Sequence, residues 1–203
     1  MIRWPYVFLL LLGCLSCKVG SKKENTRSLF NGKDLDGWII YGTEKWYVDQ
    51  GELVCESGPD AQYGYLGTTD QFKNFELQLQ FKQESNGNSG VFFRSSIEGT
   101  KITGWQAEIA PPDLHTGGIY ESYGRGWLIQ PDATELAAVF KPNQWNSLRL
   151  RVVDDQVTTW VNGKQMIQLK DAKIGAATGQ IALQIHDGGN VKVRWKDIIL
   201  TAL

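Results

Sequence analysis

Apolar residues recur at every second position along most of this chain, the spacing that turns one face of an extended strand toward a core. Phe75, Leu77, Leu79 and Phe81 alternate with Glu76, Gln78, Gln80 and Lys82. Leu148, Leu150 and Val152 alternate with Ser147, Arg149 and Arg151, and Val157, Thr159 and Val161 with Thr158, Trp160 and Asn162. Val191, Val193 and Trp195 repeat the pattern near the end. Asp154-Asp155, Asn162-Gly163 and Asn86-Gly87-Asn88 separate these runs, and such residues tolerate the positive φ that a tight reversal needs. Antiparallel strands spaced this way predict an all-β domain of two packed sheets. One helical signal interrupts them. Asp132-Ala133-Thr134-Glu135 reads as a capping box ahead of Leu136 to Val139, and Pro142 stops the run within about two turns. It is expected as a short helical turn in a long loop from Pro111 to Asn143, and loops of that length often wall a site.

The first residues follow a different rule. Arg3 followed by the apolar run Trp4 to Leu12 has the charged and apolar parts of a secretory signal and is too short to span a bilayer. Leu11-Leu12-Gly13-Cys14 resembles a bacterial lipobox, with Cys14 the expected lipid acceptor and Cys17 the rival. Lys18 to Arg27 is polar, as a flexible tether is. The organisation expected is a lipoprotein signal and tether over residues 1–27 and one β-sandwich domain over 28–203. That domain would lie outside the cytoplasm, in a periplasmic or cell-surface position, touching the membrane through a lipid anchor only.

Composition narrows the function. The formal net charge is −1 and no basic stripe accompanies the aromatic residues, which argues against nucleic acid as a partner. Cys55 alone lies beyond the leader, so no disulfide framework is expected and Cys55 should be a small buried hydrophobe. Two histidines without a matching carboxylate spacing give no metal signature, and no cofactor motif is present. Eight tryptophans and 22 glycines suit turns joining aromatic-rich strands that handle sugar.

Three segments carry the candidate chemistry: Val91 to Arg94, Gly104 to Ile109 and Ile181 to His186. Alternation sends Arg94, then Gln106 with Glu108, then Gln184 with His186 to the face opposite the apolar side chains. A guanidinium, a carboxyl and an imidazole gathered there make a candidate active site, although Glu108 with Arg94 also reads as a structural ion pair. Tyr120 and Arg125 follow the Gly117-Gly118 turn, where backbone can approach a ligand. Trp46 and Trp127 are candidates for stacking on sugar rings, whereas Trp105 should face inward with Ile109. His115 is expected to be exposed and without a role.

Longer motifs sharpen this reading. Ser28-Leu29-Phe30-Asn31-Gly32-Lys33-Asp34-Leu35-Asp36-Gly37-Trp38, Asn88-Ser89-Gly90-Val91-Phe92-Phe93-Arg94-Ser95, Thr116-Gly117-Gly118-Ile119-Tyr120-Glu121, Trp145-Asn146, Trp160-Val161-Asn162-Gly163 and Ile181 to His186 together resemble the 3-keto-disaccharide hydrolase family. The resemblance implies a concanavalin A-like jelly roll whose concave sheet faces a carbohydrate groove, and cleavage of 3-keto-glycosides supplied by an upstream sugar oxidoreductase. Many members have Gly-aromatic-Glu-Val-Gln-Ile where this chain has Gly104-Trp105-Gln106-Ala107-Glu108-Ile109, an exchange of Glu and Gln that keeps both on one face.

A C3 ketone acidifies the C2 proton of a pyranose, so a base can form an enolate that expels the C1 aglycone, and water then completes a net hydrolysis. This needs a base, a donor to the enolate oxygen and an acid. Glu108 or His186 fits the base and Arg94 the enolate donor, with the other of the first two, or Tyr120, as the acid. A direct glycosidase with Glu-x-Asp-x-x-Glu is disfavoured, because Glu108-Ile109-Ala110-Pro111-Pro112-Asp113 lacks that spacing. The main alternative is a non-catalytic, lectin-like carbohydrate-binding module on the cell envelope, since such sandwiches serve both purposes. A scaffold without sugar affinity is a third option.

Overall fold

The structure is a computed structural model that describes Met1 and residues 25–85, 87–111 and 114–203. The leader with Cys14 and Cys17, Asn86 of one predicted turn, and Pro112-Asp113 lie outside the described residues. In chain order the strands are β1 (Asn25–Ser28), β2 (Trp38–Tyr41), β3 (Lys45–Asp49), β4 (Glu52–Glu56), β5 (Gly64–Thr68), β6 (Phe75–Ser85), β7 (Ser89–Glu98) and β8 (Lys101–Ile109). They continue as β9 (Ile119–Ser122), β10 (Gly126–Ile129), β11 (Asn146–Val153), β12 (Gln156–Val161), β13 (Lys164–Lys170), β14 (Gln180–Ile185) and β15 (Lys192–Ala202). Helix α1 (Ala133–Val139) follows β10, and α2 (Ala172–Ala176) follows β13.

One sheet runs β13-β12-β11-β6-β15-β4-β3, with β1 also paired to β15, and the other runs β10-β9-β8-β7-β14-β5-β2. Their inner faces meet in one apolar core, so the expected two-sheet antiparallel jelly roll is what the chain forms. Phe75, Leu77, Leu79 and Phe81 from β6 enter this core with Leu148, Leu150 and Val152 from β11. Val91, Phe93, Trp105, Ile109, Leu183 and Ile185 meet them from the opposite sheet. Full burial of each such side chain is worth about 1.5–3 kcal/mol, the main force holding the sheets together. The predicted Asn162-Gly163 reversal joins β12 to β13 with both residues at positive φ, 49° and 84°, as a two-residue hairpin that follows strand twist requires.

Three expectations change. Strand β1 begins at Asn25, within the stretch read as tether, and Asn25 pairs with Ala202. The connection from Pro111 to Asn143 is structured rather than a plain loop: β9 and β10 extend the seven-stranded sheet before α1. Helix α1 has the predicted cap, with the Asp132 side chain accepting from the Glu135 N–H at 2.9 Å. A second short helix, α2, is capped in the same way by Asp171. Its Gly-containing five residues give no helical period to read. Cys55 is buried as expected, and burial pushes its thiol up to about 12.

Arg94 breaks the alternation that placed it on the open face. Phe93 pairs with Trp105 and Ser96 with Thr103, so Arg94 and Ser95 stand opposite Gly104 alone. This is a β-bulge, and Arg94 adopts φ 47° within it. The side chain is turned to the sandwich margin, where it is buried. Its Nε and Nη2 donate to the Lys73 carbonyl at 2.8 and 2.6 Å, Nη1 donates to the carbonyls of Asp154, at 2.8 Å, and Ile174, and Nη2 reaches Asn74 Oδ1 at 3.1 Å. The guanidinium thus ties β7 to the turn before β6, the β11–β12 reversal and α2. Arg94→Ala leaves the Lys73 and Asp154 carbonyls without this donor, while Asn74 Oδ1 and the Ile174 carbonyl keep the Asp154 and Ala177 N–H groups, and a loss of roughly 3 kcal/mol is expected in urea unfolding.

Candidate active site

The open face of the seven-stranded sheet gets its composition from register. Across β5, β14, β7 and β8, Tyr65 lies beside Gln184, Gln184 beside Gly90, and Gly90 beside Glu108. One step along, Ala182, Phe92, Gln106, Tyr120 and Trp127 form a second row across β14, β7, β8, β9 and β10. Neighbours in a row project from the same face. The residues between them, among them Val91, Ala107 and Leu183, point into the core.

Gly90 lets the two rows interact. A Cβ there would fall 2.2 Å from Gln106 Nε2, so only a bare backbone leaves space for Gln106 to lie across β7. From that position Gln106 Nε2 reaches Glu108 Oε2 at 2.7 Å, Gln184 Oε1 at 3.0 Å and the Ser89 carbonyl at 3.2 Å. Two amide hydrogens are shared among three acceptors. Glu108 is only 8% exposed, and burial pushes its carboxyl up to about 8, because a carboxylate there loses hydration without gaining a cation. With Oε2 accepting from the amide, Oε1 is the oxygen that carries the proton near neutral pH.

His186 follows the end of β14 at the cavity rim. Its Nδ1 is 2.8 Å from Asp187 Oδ1 and its Nε2 is 3.2 Å from the Tyr63 hydroxyl. A carboxylate at Nδ1 favours the tautomer with a proton there and leaves Nε2 as the acceptor. The Tyr63 ring lies 4.8 Å from the imidazole, centroid to centroid, and its hydroxyl is pushed up to about 12, chiefly by burial and then by Asp187. Tyr63 is therefore a neutral donor to Nε2 across the physiological range.

These groups line one cavity of about 610 Å³. Of the residues singled out in the sequence, it holds Gln106, Glu108, Gln184, His186, Tyr120 and Trp127. Arg94 is at the sandwich margin, so neither the Glu108–Arg94 ion pair nor an arginine beside the reacting atoms forms. Arg125 pairs instead with Asp171 at 2.7 Å and with Glu121, because the β9–β10 turn carries its side chain away from the cavity. Trp46 is buried in the main core of the other sheet, its neighbours Lys45 and Tyr47 facing outward. No lysine or arginine lines the cavity among the described residues.

The cavity also includes residues the sequence reading passed over. Tyr63 and Tyr65 flank Gly64, a Tyr-Gly-Tyr alternation that would have marked two side chains on one face. Asn88, Phe92, Leu114 and Tyr123 complete much of the lining. His115, expected to be idle, stands in the wall with its ring edge-on to Trp127 at 5.2 Å, and Tyr120 meets Trp127 similarly at 5.4 Å.

A family model described as the 3-keto-alpha-glucoside-1,2-lyase-like domain matches residues 25–201. A 3-keto-disaccharide hydrolase of Bacteroides thetaiotaomicron is 36% identical over 75 residues, which is 32% of this chain and 26% of that relative. The match therefore spans about a quarter of the relative's length. Among solved structures, a protein from Parabacteroides distasonis described as a candidate glycosyl hydrolase has a TM-score of 0.66 at 22% identity, covering 88% of this chain and 94% of that one. A carbohydrate-binding module from Bacillus subtilis has a TM-score of 0.65 at 12% identity, covering 82% and 96%. At these identities the structural likeness establishes a shared sandwich fold.

Burial of Glu108 has a thermodynamic signature. Between the ordinary value of 4.5 and about 8, the folded protein keeps a proton that the unfolded chain has released. That stabilisation is complete below pH 4.5, declines as pH rises and is gone above about 8, a swing of roughly 5 kcal/mol. Thermal unfolding from pH 4 to 9 is expected to show wild type losing stability relative to Glu108→Gln. Parallel curves would mean that folding leaves the Glu108 carboxyl at its ordinary value.

Proposed function

The chain belongs to the 3-keto-alpha-glucoside-1,2-lyase-like family, and we propose that it cleaves the glycosidic bond of 3-keto-glycosides by elimination across C1–C2 followed by hydration. The observation that carries this reading is the pairing, in one cavity, of a buried protonated carboxyl at Glu108 with an imidazole at His186 oriented by Asp187. Two titratable groups with such different surroundings suit opposite proton-transfer roles.

In this mechanism the pyranose enters with its C3 ketone and displaces the Tyr63 hydroxyl from His186 Nε2. Nε2 accepts the C2 proton, and the C2–H electrons form the enolate. As the C1–O bond breaks, its electron pair leaves with the aglycone oxygen, which takes the proton from Glu108. The products of this step are a 2-hydroxyglycal-3-ketone and a free alcohol. Water then adds across C1–C2 to give the 3-keto sugar. With no arginine lining the cavity among the described residues, the enolate oxygen is held by neutral donors, for which the Tyr65 hydroxyl and the Gln184 amide stand in the same row as Glu108. Neutral donors in a dry cavity stabilise developing charge without reorganising. Tyr120 and Trp127 offer apolar faces for the ring.

The family match and the similarity to a 3-keto-disaccharide hydrolase support the substrate class. Purified protein incubated with a 3-keto-disaccharide should release the aglycone, with a 2-hydroxyglycal intermediate visible by NMR. Glu108→Gln and His186→Ala should each lower turnover about 10²–10⁴-fold while ligand binding persists. Wild-type binding without turnover would establish a lectin-like module instead, and product formation without the glycal would replace elimination by direct hydrolysis.

The same reading has the domain act outside the cytoplasm on a lipid at Cys14, supported by Leu11-Leu12-Gly13-Cys14. In cell fractionation Cys14→Ser is expected to move the protein from membrane to soluble fractions. Membrane retention would shift the assignment to Cys17.

A further inference from the structure

We propose that the apolar depression beside the catalytic cavity is the seat of a hydrocarbon or aromatic aglycone, so that glycosides of apolar alcohols are substrates. This rests on the reading of the main cavity as a 3-keto-glycoside site. The depression has a volume of about 210 Å³ and lies between His115-Thr116 and the α1 segment, where Leu136, Ala137, Phe140 and Pro142 form its walls.

Three observations converge on this occupant. First, the depression adjoins the main cavity: His115 lines both, and its ring packs edge-on against Trp127. A ligand whose sugar lies on Gln106 and Glu108 can extend past His115 into the second space. Second, the walls offer a sugar little to bind. The Thr116 hydroxyl already accepts from the Ala110 N–H at 3.0 Å and donates to the Ala110 carbonyl at 2.9 Å. The other side chains except His115 are aliphatic or aromatic. Hydroxyl groups entering here would give up water without replacement partners, whereas hydrocarbon loses nothing. Third, the size fits one ring, since an apolar cavity of about 150 Å³ is enough for benzene.

Apolar surface also lies in the main cavity near His115. Leu114 and Trp127 are 48% and 39% exposed, large values for such side chains, and both line the main cavity on the side of His115. They would cover the link between sugar and aglycone.

The test follows the 3-keto-glucoside of cyclohexylmethanol and a 3-keto-disaccharide in wild type and in variants of the seat, so that the fixed difference in leaving-group acidity cancels and a changed ratio reads aglycone binding. Ala137 is solvent-exposed on α1. Ala137→Glu introduces a charge at the seat and Ala137→Trp fills it. Both are expected to lower the ratio of kcat/KM for the cyclohexylmethyl substrate over the disaccharide by about tenfold. A ratio unchanged in both variants overturns the proposal. If wild type turns over neither compound, the catalytic reading fails, and NMR with cyclohexylmethanol decides the seat separately. Shifts of the Ala133 and Ala137 methyl signals support it, and their absence overturns it.

Discussion

The site depends on one steric constraint, the missing side chain at Gly90. Strands β8, β7 and β14 pair so that Glu108, Gly90 and Gln184 fall in one line. The amide that links the outer strands can cross the middle one only where no Cβ intervenes. Strand register supplies the alignment and glycine supplies the clearance. A one-residue slip would send Gln106 and Glu108 into the core and Trp105 and Ala107 to the open face, so core packing enforces the chemistry of the opposite face.

Electrostatics then follow from what the face lacks. Glu108 is sheltered by the amide network and the aromatic walls and has no cation beside it, which is why burial dominates its protonation. His186 sits at the wetter rim with Asp187 on one nitrogen and Tyr63 on the other. The two groups are thus poised oppositely although they share a cavity. Tyr65, Gln184 and Tyr63 surround them with neutral dipoles, a setting that favours developing charge only where donors are already aimed.

Much of this was legible in the chain because a pleat repeats every two residues. The strands around Phe75 to Phe81 and Leu148 to Val152, the hairpin at Asn162-Gly163 and the common face of Gln106, Glu108 and Gln184 all follow from that period. Arg94 did not follow it, because a bulge changes which way the later residues point and a non-glycine residue at positive φ leaves no mark in composition. Trp46 faces the core, and the chain does not show this for a simpler reason: aromatic character does not say which face of a short strand is inside. Arg125 found its carboxylates on Glu121 and Asp171, and the second partner lies far away in sequence. Strands β9 and β10 have four residues each, too few for alternation to stand out from a loop. His115 belongs to that same stretch, and only the fold brings it to Trp127.

The Arg94 clamp has an evolutionary corollary. Most of its partners are main-chain carbonyls, at Lys73, Asp154 and Ile174, and every amino acid provides that oxygen. The clamp itself therefore sets no side chain at these three positions: Lys73 is exposed and free to drift, whereas Ile174 is held by the core and Asp154 by its positive φ and its bond to Asn74. The arginine has no such freedom, since no other residue carries five donors on a planar fork. Related chains should tolerate varied residues at position 73 while insertions or deletions in these segments are rare, a pattern that would resemble catalytic invariance at position 94 although its origin is architectural.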